Sequence, residues 1–144
     1  MPHALETPIR AIDAVEYFKA KLQFEIGPVG VFQNMKLPSV LVLDVRDQEA
    51  YAREHVPGAL NIPLAEIPRR LASLPKDKTI VCYCWTITCA LAPKAALELA
   101  HRGYTVQEMA GGIAEWKASG YPVQGTSVAP DDDDSGEMAP RLDD

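Results

Sequence analysis

The stretch TIVCYCWTITCALAPKAALELAHRG, residues 79–103, joins a strand pattern, a loop and a helix pattern in one run. Thr79 to Tyr83 is continuously apolar in its middle, as in a strand covered on both faces. Ala90 to Arg102 places Ala92, Ala95, Ala96, Leu99 and Ala100 at helical spacing. Gly103 stands where a left-handed residue ends a helix. Pro93 lacks an N–H and clashes with a preceding turn, so it fits only within the first helical turn. The helix therefore starts no earlier than about Ala90. Cys84 to Cys89 (CWTITC) is left as the connection.

The same alternation extends outward. Ser39 to Val45 (SVLVLDV) reads as another strand buried on both faces, and Thr105 to Met109 as a third. Ala59 to Ile62 is a shorter candidate. Helical patterns fall at Thr7 to Leu22, where Thr7 is a plausible cap and Pro8 a first helical residue. They recur at Gln48 to His55, Leu64 to Leu74 and, after Gly111-Gly112, Ile113 to Ala118. A short segment between Gly27-Pro28 and Met35 also has helical character. Strands alternating with helices predict an α/β domain with a mainly parallel sheet. Ligands in such sheets sit beyond the carboxyl ends of the strands. Asp44-Val45-Arg46 and Cys84 occupy two such ends.

Composition limits the class of protein. The chain has 144 residues, 47% hydrophobic and 24% charged, the balance of one globular domain with tails rather than of a disordered chain. Three cysteines do not make a disulfide-stapled miniprotein. The net charge of −6 sits in the last fifteen residues, which carry seven acids and one base; the other 129 residues hold 13 of each sign. No basic footprint for nucleic acid follows from that distribution. No run reaches the ~20 apolar residues of a membrane helix. The start of the chain has no basic segment followed by an apolar one. The expectation is a cytoplasmic protein whose cysteines are thiols, metal ligands or catalysts. Residues 1–124 read as the domain with an N-terminal helical extension. Residues 125–144 read as an acidic, disordered tail, too poor in apolar groups to offset chain entropy.

The chemistry gathers at the loop. Backbone N–H groups there and at the helix start can face an anion, and the same field lowers a thiol's pKa. Cys84 is then a nucleophile with an anion site around it, or else a small buried apolar residue. Cys82, inside the strand, reads as inert core. A metal cluster of Cys82, Cys84 and Cys89 finds no histidine nearby in sequence, so no metal site is expected.

At this point the chain resembles the single-domain rhodanese-like sulfurtransferases. The segments that carry the likeness run in the family's order. They are Leu43-Asp44-Val45-Arg46 with Glu49, Tyr51 and the run from Glu54 to Pro63 (EHVPGALNIP), then Ile80 to Cys84, Lys94 to Tyr104, and Met109 to Ile113 with Trp116 and Gly120 to Val123. The resemblance implies a rhodanese-like α/β fold, with a mainly parallel central sheet of about five strands flanked by helices. It implies a catalytic Cys84 that carries sulfur as a persulfide. The loop Trp85, Thr86, Ile87, Thr88, Cys89 and Ala90 would bind substrate, with Asp44 and Arg46 in support. The implied partners are small sulfur-containing anions or protein persulfide donors and acceptors, with no nucleic acid, no membrane and no cofactor. A ring of loop backbone N–H groups around a persulfide's outer sulfur fits that chemistry.

The loop departs from the common family form. It has no glycine and no arginine or lysine; Lys94 is the nearest base, and the usual cation position falls near Leu91. Instead Cys89 follows Cys84 by five positions. The chain resembles rhodanese relatives with a second cysteine in this loop and a tryptophan beside the first. A second thiol can resolve a persulfide, releasing sulfide and leaving a Cys84–Cys89 disulfide; alternatively Cys89 fills space. A phosphatase on this kind of fold needs an arginine closing the loop, which is absent. A non-catalytic or redox-responsive module that binds sulfur carriers through Cys84 and Cys89 is the alternative to an enzyme.

Overall fold

The computed structural model describes residues 11–128. Its elements in chain order are α1 (Ala11–Phe24), β1 (Glu25–Ile26), α2 (Pro28–Asn34), β2 (Val40–Asp44), α3 (Gln48–Arg53), β3 (Leu60–Asn61), α4 (Ile67–Arg70), β4 (Thr79–Tyr83), α5 (Leu91–His101), β5 (Thr105–Met109) and α6 (Gly112–Ala118). The five strands form one sheet in the order β1-β5-β4-β2-β3, with every pairing parallel. This is the rhodanese-like α/β arrangement expected from the sequence.

β4 lies in the middle and alternates strictly. Ile80, Cys82 and Cys84 enter one core with Leu43, Val45, Ala92, Ala95 and Leu99. Val81 and Tyr83 enter the other with Val42, Met109, Ile113 and Trp116. A parallel strand between two helical layers must be apolar on both sides, which is why TIVCY shows no polar alternation. The small residues of α5 that face the sheet, Ala92 and Ala95, are fully buried. From β2 the chain runs to β3 on one side and later returns as β4 on the other, so the switch in strand order lies between β2 and β4. Such a crevice is where α/β sheets place their sites.

Some elements differ from their sequence patterns. The stretch 64–74 is a short tight turn at Leu64–Glu66, one α-turn at Ile67–Arg70 and another tight turn at Leu71–Ser73. Pro68 cannot donate back to Leu64, so the helix restarts with the proline in its first turn. Pro75 then holds Leu74 extended, at φ −107° and ψ 129°. β1 has two residues and is paired only to Glu108 and Met109 of β5; it is too short for any periodicity to reveal. α1 carries the apolar stripe expected of a core helix, yet it touches the body mainly through β1 and β5 at the sheet's edge. Leu22 is 86% exposed there. The cap expected at Thr7-Pro8 lies outside the described residues. At the other end the chain stays attached through Ser127: Thr126 and Ser127 donate to the carbonyls of Ala52 and Arg53 in α3. Among the described residues no helix is long and apolar enough to cross a membrane.

Candidate active site

Cys84 is the first residue beyond β4, and it is only 2% exposed. Trp85 to Ala90 form the loop, and Ala90 is the residue that leads into α5. Pro93 sits in the first turn of that helix, as its chemistry requires. This geometry brings the start of α5 onto the cysteine: the Ala92 N–H donates to Cys84 Sγ at 3.4 Å. The Cys84 thiol in turn donates to the Cys89 carbonyl at 3.7 Å. The loop closes on itself through Cys89 N–H to the Thr86 carbonyl, 3.1 Å, and a Thr86–Thr88 hydroxyl contact of 3.1 Å. Ile87 at its tip is exposed.

A second element, unrecognised as part of the site by its sequence pattern, fixes the loop's first residues from below. The N–H groups of Ile113 and Ala114, at the start of α6, donate to the carbonyls of Cys84 (2.9 Å) and Trp85 (3.0 Å). They come this close because position 112 is glycine. A Cβ on Gly112 would stand 2.6 Å from the Cys84 oxygen, and its φ is +63°. Gly111-Gly112 after a strand reads as a turn, and nothing local shows what the missing side chain makes room for.

The two loop thiols divide their environment unequally. Burial pushes the Cys84 thiol up to about 12, the interaction with Cys89 adds to that rise, and the Ala92 N–H offsets it only in part. Partial burial also opposes the Cys89 thiolate. There, however, the Cys84 thiol and the N–H groups of Trp85 and Leu91 outweigh it and bring the pKa below the ordinary thiol value. The field of the loop therefore falls on Cys89, whereas the sequence reading placed it on Cys84. The physical reason is depth. The carbonyl of Cys89 and the apolar core crowd the inner sulfur, where burial outweighs the N–H groups of Ala92 and Trp85; at the half-buried outer sulfur the N–H groups of Trp85 and Leu91 are not outweighed. Cys82 is fully buried and burial raises its thiol to about 12, in keeping with a core role.

Asp44 and Arg46, from the end of β2, form a closed unit beside this loop. Both side chains are completely buried. Arg46 Nη2 and Nε donate to Asp44 Oδ2 and Oδ1 at 2.7 and 3.0 Å, and Nη2 also reaches the Glu54 carbonyl at 2.7 Å. The Tyr83 hydroxyl donates to Asp44 Oδ2 at 2.6 Å and accepts from the Val56 N–H at 3.0 Å. Asn61 ties down the backbone by donating to the carbonyls of Asp44 and Arg46. The carboxylate is fully occupied with structure. The guanidinium is not: Nη1 is buried without a hydrogen-bond partner. Trp85 lies over it, 4.6 Å from ring centroid to Arg46 Cζ, and is itself 40% exposed. Tryptophan is thus stacked on the strand-end cation rather than turned into the cysteine loop. His55 stacks on Tyr51 and its Nδ1 meets the Tyr51 carbonyl at 2.7 Å, a structural post. Among the described residues no group of three or more His, Cys, Asp or Glu side chains gathers to hold a metal ion.

The sequence and the fold both have counterparts among known proteins. The family model described as "Rhodanese-like domain" matches residues 31–119. The chain belongs to the rhodanese-like family. Its rhodanese-like segment is 43% identical over 84 residues to the HTH-type transcriptional regulator Rv0324 of Mycobacterium tuberculosis, covering 58% of this chain and 37% of that protein. It therefore spans well under half of that relative's length. A protein named sulfurtransferase from Allochromatium vinosum is 36% identical over 93 residues, covering 64% of this chain and 81% of the relative. Among solved structures, the BH2092 protein of Bacillus halodurans superposes with a TM-score of 0.75 at 35% identity, covering 85% of this chain and 92% of that one. Proteins named sulfurtransferases are thus among the homologues of this rhodanese-like domain.

Proposed function

We propose that this rhodanese-like domain is a sulfurtransferase that moves sulfane sulfur from a donor such as thiosulfate, a polysulfide or a persulfide to a thiophilic acceptor, by way of a persulfide on Cys84. The observation that carries this reading is the placement of Cys84: a thiol at the carboxyl end of the central strand, with the Ala92 N–H of the first turn of α5 directed at its sulfur. A helix start stabilises negative charge on that sulfur and on anything attached to it. The loop has no cation for a dianionic donor, which favours polysulfides and persulfides over thiosulfate. Neither a metal nor an organic cofactor enters the reaction. The partners are small sulfur-containing anions or protein persulfides.

The test is intact mass. Reduced protein is incubated with polysulfide or thiosulfate, desalted and weighed, and fragmentation locates the added atom. The expected result is one added sulfur on Cys84 that cyanide or a thiol removes, and loss of most acceptor turnover in Cys84→Ser. Protein that gains no sulfur from any donor while its loop thiols still alkylate would overturn the reading.

The nearness of the two loop cysteines, with Cys84 Sγ 3.7 Å from the Cys89 carbonyl, favours a second reading. Attack of one on a persulfide of the other releases sulfide and leaves a Cys84–Cys89 disulfide, which would make the domain redox-responsive. The regulator among its homologues fits such a use. Wild-type protein that loses two hydrogens after sulfur loading, while Cys89→Ser keeps its sulfur, would select this reading.

A further inference from the structure

We propose that Cys89, not Cys84, is the thiol that first takes sulfur from the donor, and that it passes this sulfur inward to Cys84. The inference rests on the sulfurtransferase reading and assigns a catalytic role to the second cysteine. Its ground is the layout of the loop. Cys84 is 2% exposed and packed in the core with Leu43, Val45 and Ala92, whereas Cys89 is half-buried at the end of the loop. A donor arriving from solvent meets Cys89 first. The hydrogen-bonding groups agree. A carbonyl oxygen stands 3.7 Å from Cys84 Sγ, a partner that suits a protonated thiol and repels a thiolate. Burial and Glu108 oppose charge on Cys89, but the Cys84 thiol and the N–H groups of Trp85 and Leu91 outweigh them; at Cys84 burial outweighs the N–H groups of Ala92 and Trp85. Of the two thiols Cys89 is the one that gives up its proton first, and Cys84 the one that holds it.

The chemistry balances without an external oxidant or reductant. The Cys89 thiolate attacks the outer sulfur of the donor. With thiosulfate the S–S bond breaks and sulfite leaves with its electron pair, giving a deprotonated Cys89 persulfide. Cys84 then attacks the outer sulfur of that persulfide. A new S–S bond forms on Cys84, the Cys89 S–S bond breaks, and the proton of Cys84 moves to the Cys89 sulfur. The result is a Cys84 persulfide anion under the Ala92 N–H, and a neutral Cys89 thiol. The outer thiol is the collector and the inner one the store, where burial keeps the labile sulfur from stray thiols and oxidants.

Single-turnover loading of the whole chain with polysulfide, at neutral pH, tests the order. Cys84→Ser should still take up one sulfur, located on Cys89, and Cys89→Ser should load Cys84 at least ~10-fold more slowly than wild type, because a thiol loses reactivity as its thiolate fraction falls. Early time points of the wild type should show the sulfur on Cys89 before Cys84. A second measurement does not depend on variants that must fold: limiting iodoacetamide on the wild type should label Cys89 first. The proposal is overturned if Cys89→Ser loads Cys84 at the wild-type rate, or if Cys84→Ser takes up nothing while remaining folded and alkylating at Cys89. It is also overturned, together with the sulfurtransferase reading beneath it, if no form of the protein gains sulfur from any donor.

Discussion

Gly112 stands where the Cys84 carbonyl leaves no room for a Cβ, and the N–H groups that follow it hold the base of the loop. Gly112→Ala should cost about 1–3 kcal/mol from its positive φ alone, and displacement of the Trp85 backbone should slow sulfur loading as well. Urea unfolding and the mass assay check the two effects separately. Arg46 makes a sharper case. Removing one partner of a buried ion pair leaves the other charge uncompensated, so Arg46→Ala should destabilise by about 3–5 kcal/mol. Trp85→Ala removes only the stacked ring and should cost ~0.5–2 kcal/mol. If the two variants have equal unfolding midpoints, the Asp44–Arg46 pair is not the support described. The residue types at this site were legible in the chain: Cys84 after an apolar strand, and Asp44-Val45-Arg46 after another. What the chain could not show was that Tyr83 from β4 and the Val56 backbone would complete the Asp44 network, since those partners lie 39 and 27 positions apart. Nor did residue type reveal which of the two thiols the loop N–H groups would favour.

Secondary structure followed the sequence where its cause is local. β4 and β5 span Thr79–Tyr83 and Thr105–Met109, as their apolar runs require, and α5 begins two residues before Pro93 and ends before Gly103. Gly103 has φ +88°, the left-handed residue that ends the helix, so Gly103→Ala should cost about 1 kcal/mol in thermal or urea unfolding. The 64–74 stretch failed as one helix because Pro68 interrupts the hydrogen-bond ladder, a signal present in the chain but outweighed by the apolar spacing. α1 failed differently. Its pattern is that of a core helix, but periodicity reports only that a helix has an apolar face, not what covers it. With Leu22 at 86% exposure, Leu22→Lys should change unfolding free energy by less than ~0.5 kcal/mol. A loss several times larger would mean that this side chain is covered in solution.

For the molecule as a whole, the two deep thiols set a pH limit. Cys82 and Cys84 are held at about 12 in the folded state, chiefly by burial. In the unfolded chain a thiol titrates near ~8.5. A folded pKa raised above the unfolded one contributes stability that is fully present below the unfolded value and lost as pH rises toward the folded one. Urea midpoints should therefore hold steady from about pH 6 to pH 8 and fall above about pH 9, by up to ~1.4 kcal/mol per thiol per pH unit. Cys82→Ala should flatten part of that decline, and an unchanged slope in that variant would refute the assignment. The sequence by itself determined the family, the α/β class, the strand-loop-helix unit and the cysteine at its mouth. The family came from the resemblance of its ordered segments; the rest follows from apolar runs, proline and glycine, whose effects act within a few residues. Only the tertiary structure decided that α6 holds the base of the loop, that Trp85 stacks on the buried arginine, and that the loop favours charge on Cys89 over Cys84. Each of these depends on how deeply a group is buried and on which distant backbone groups reach it, and both are set by packing.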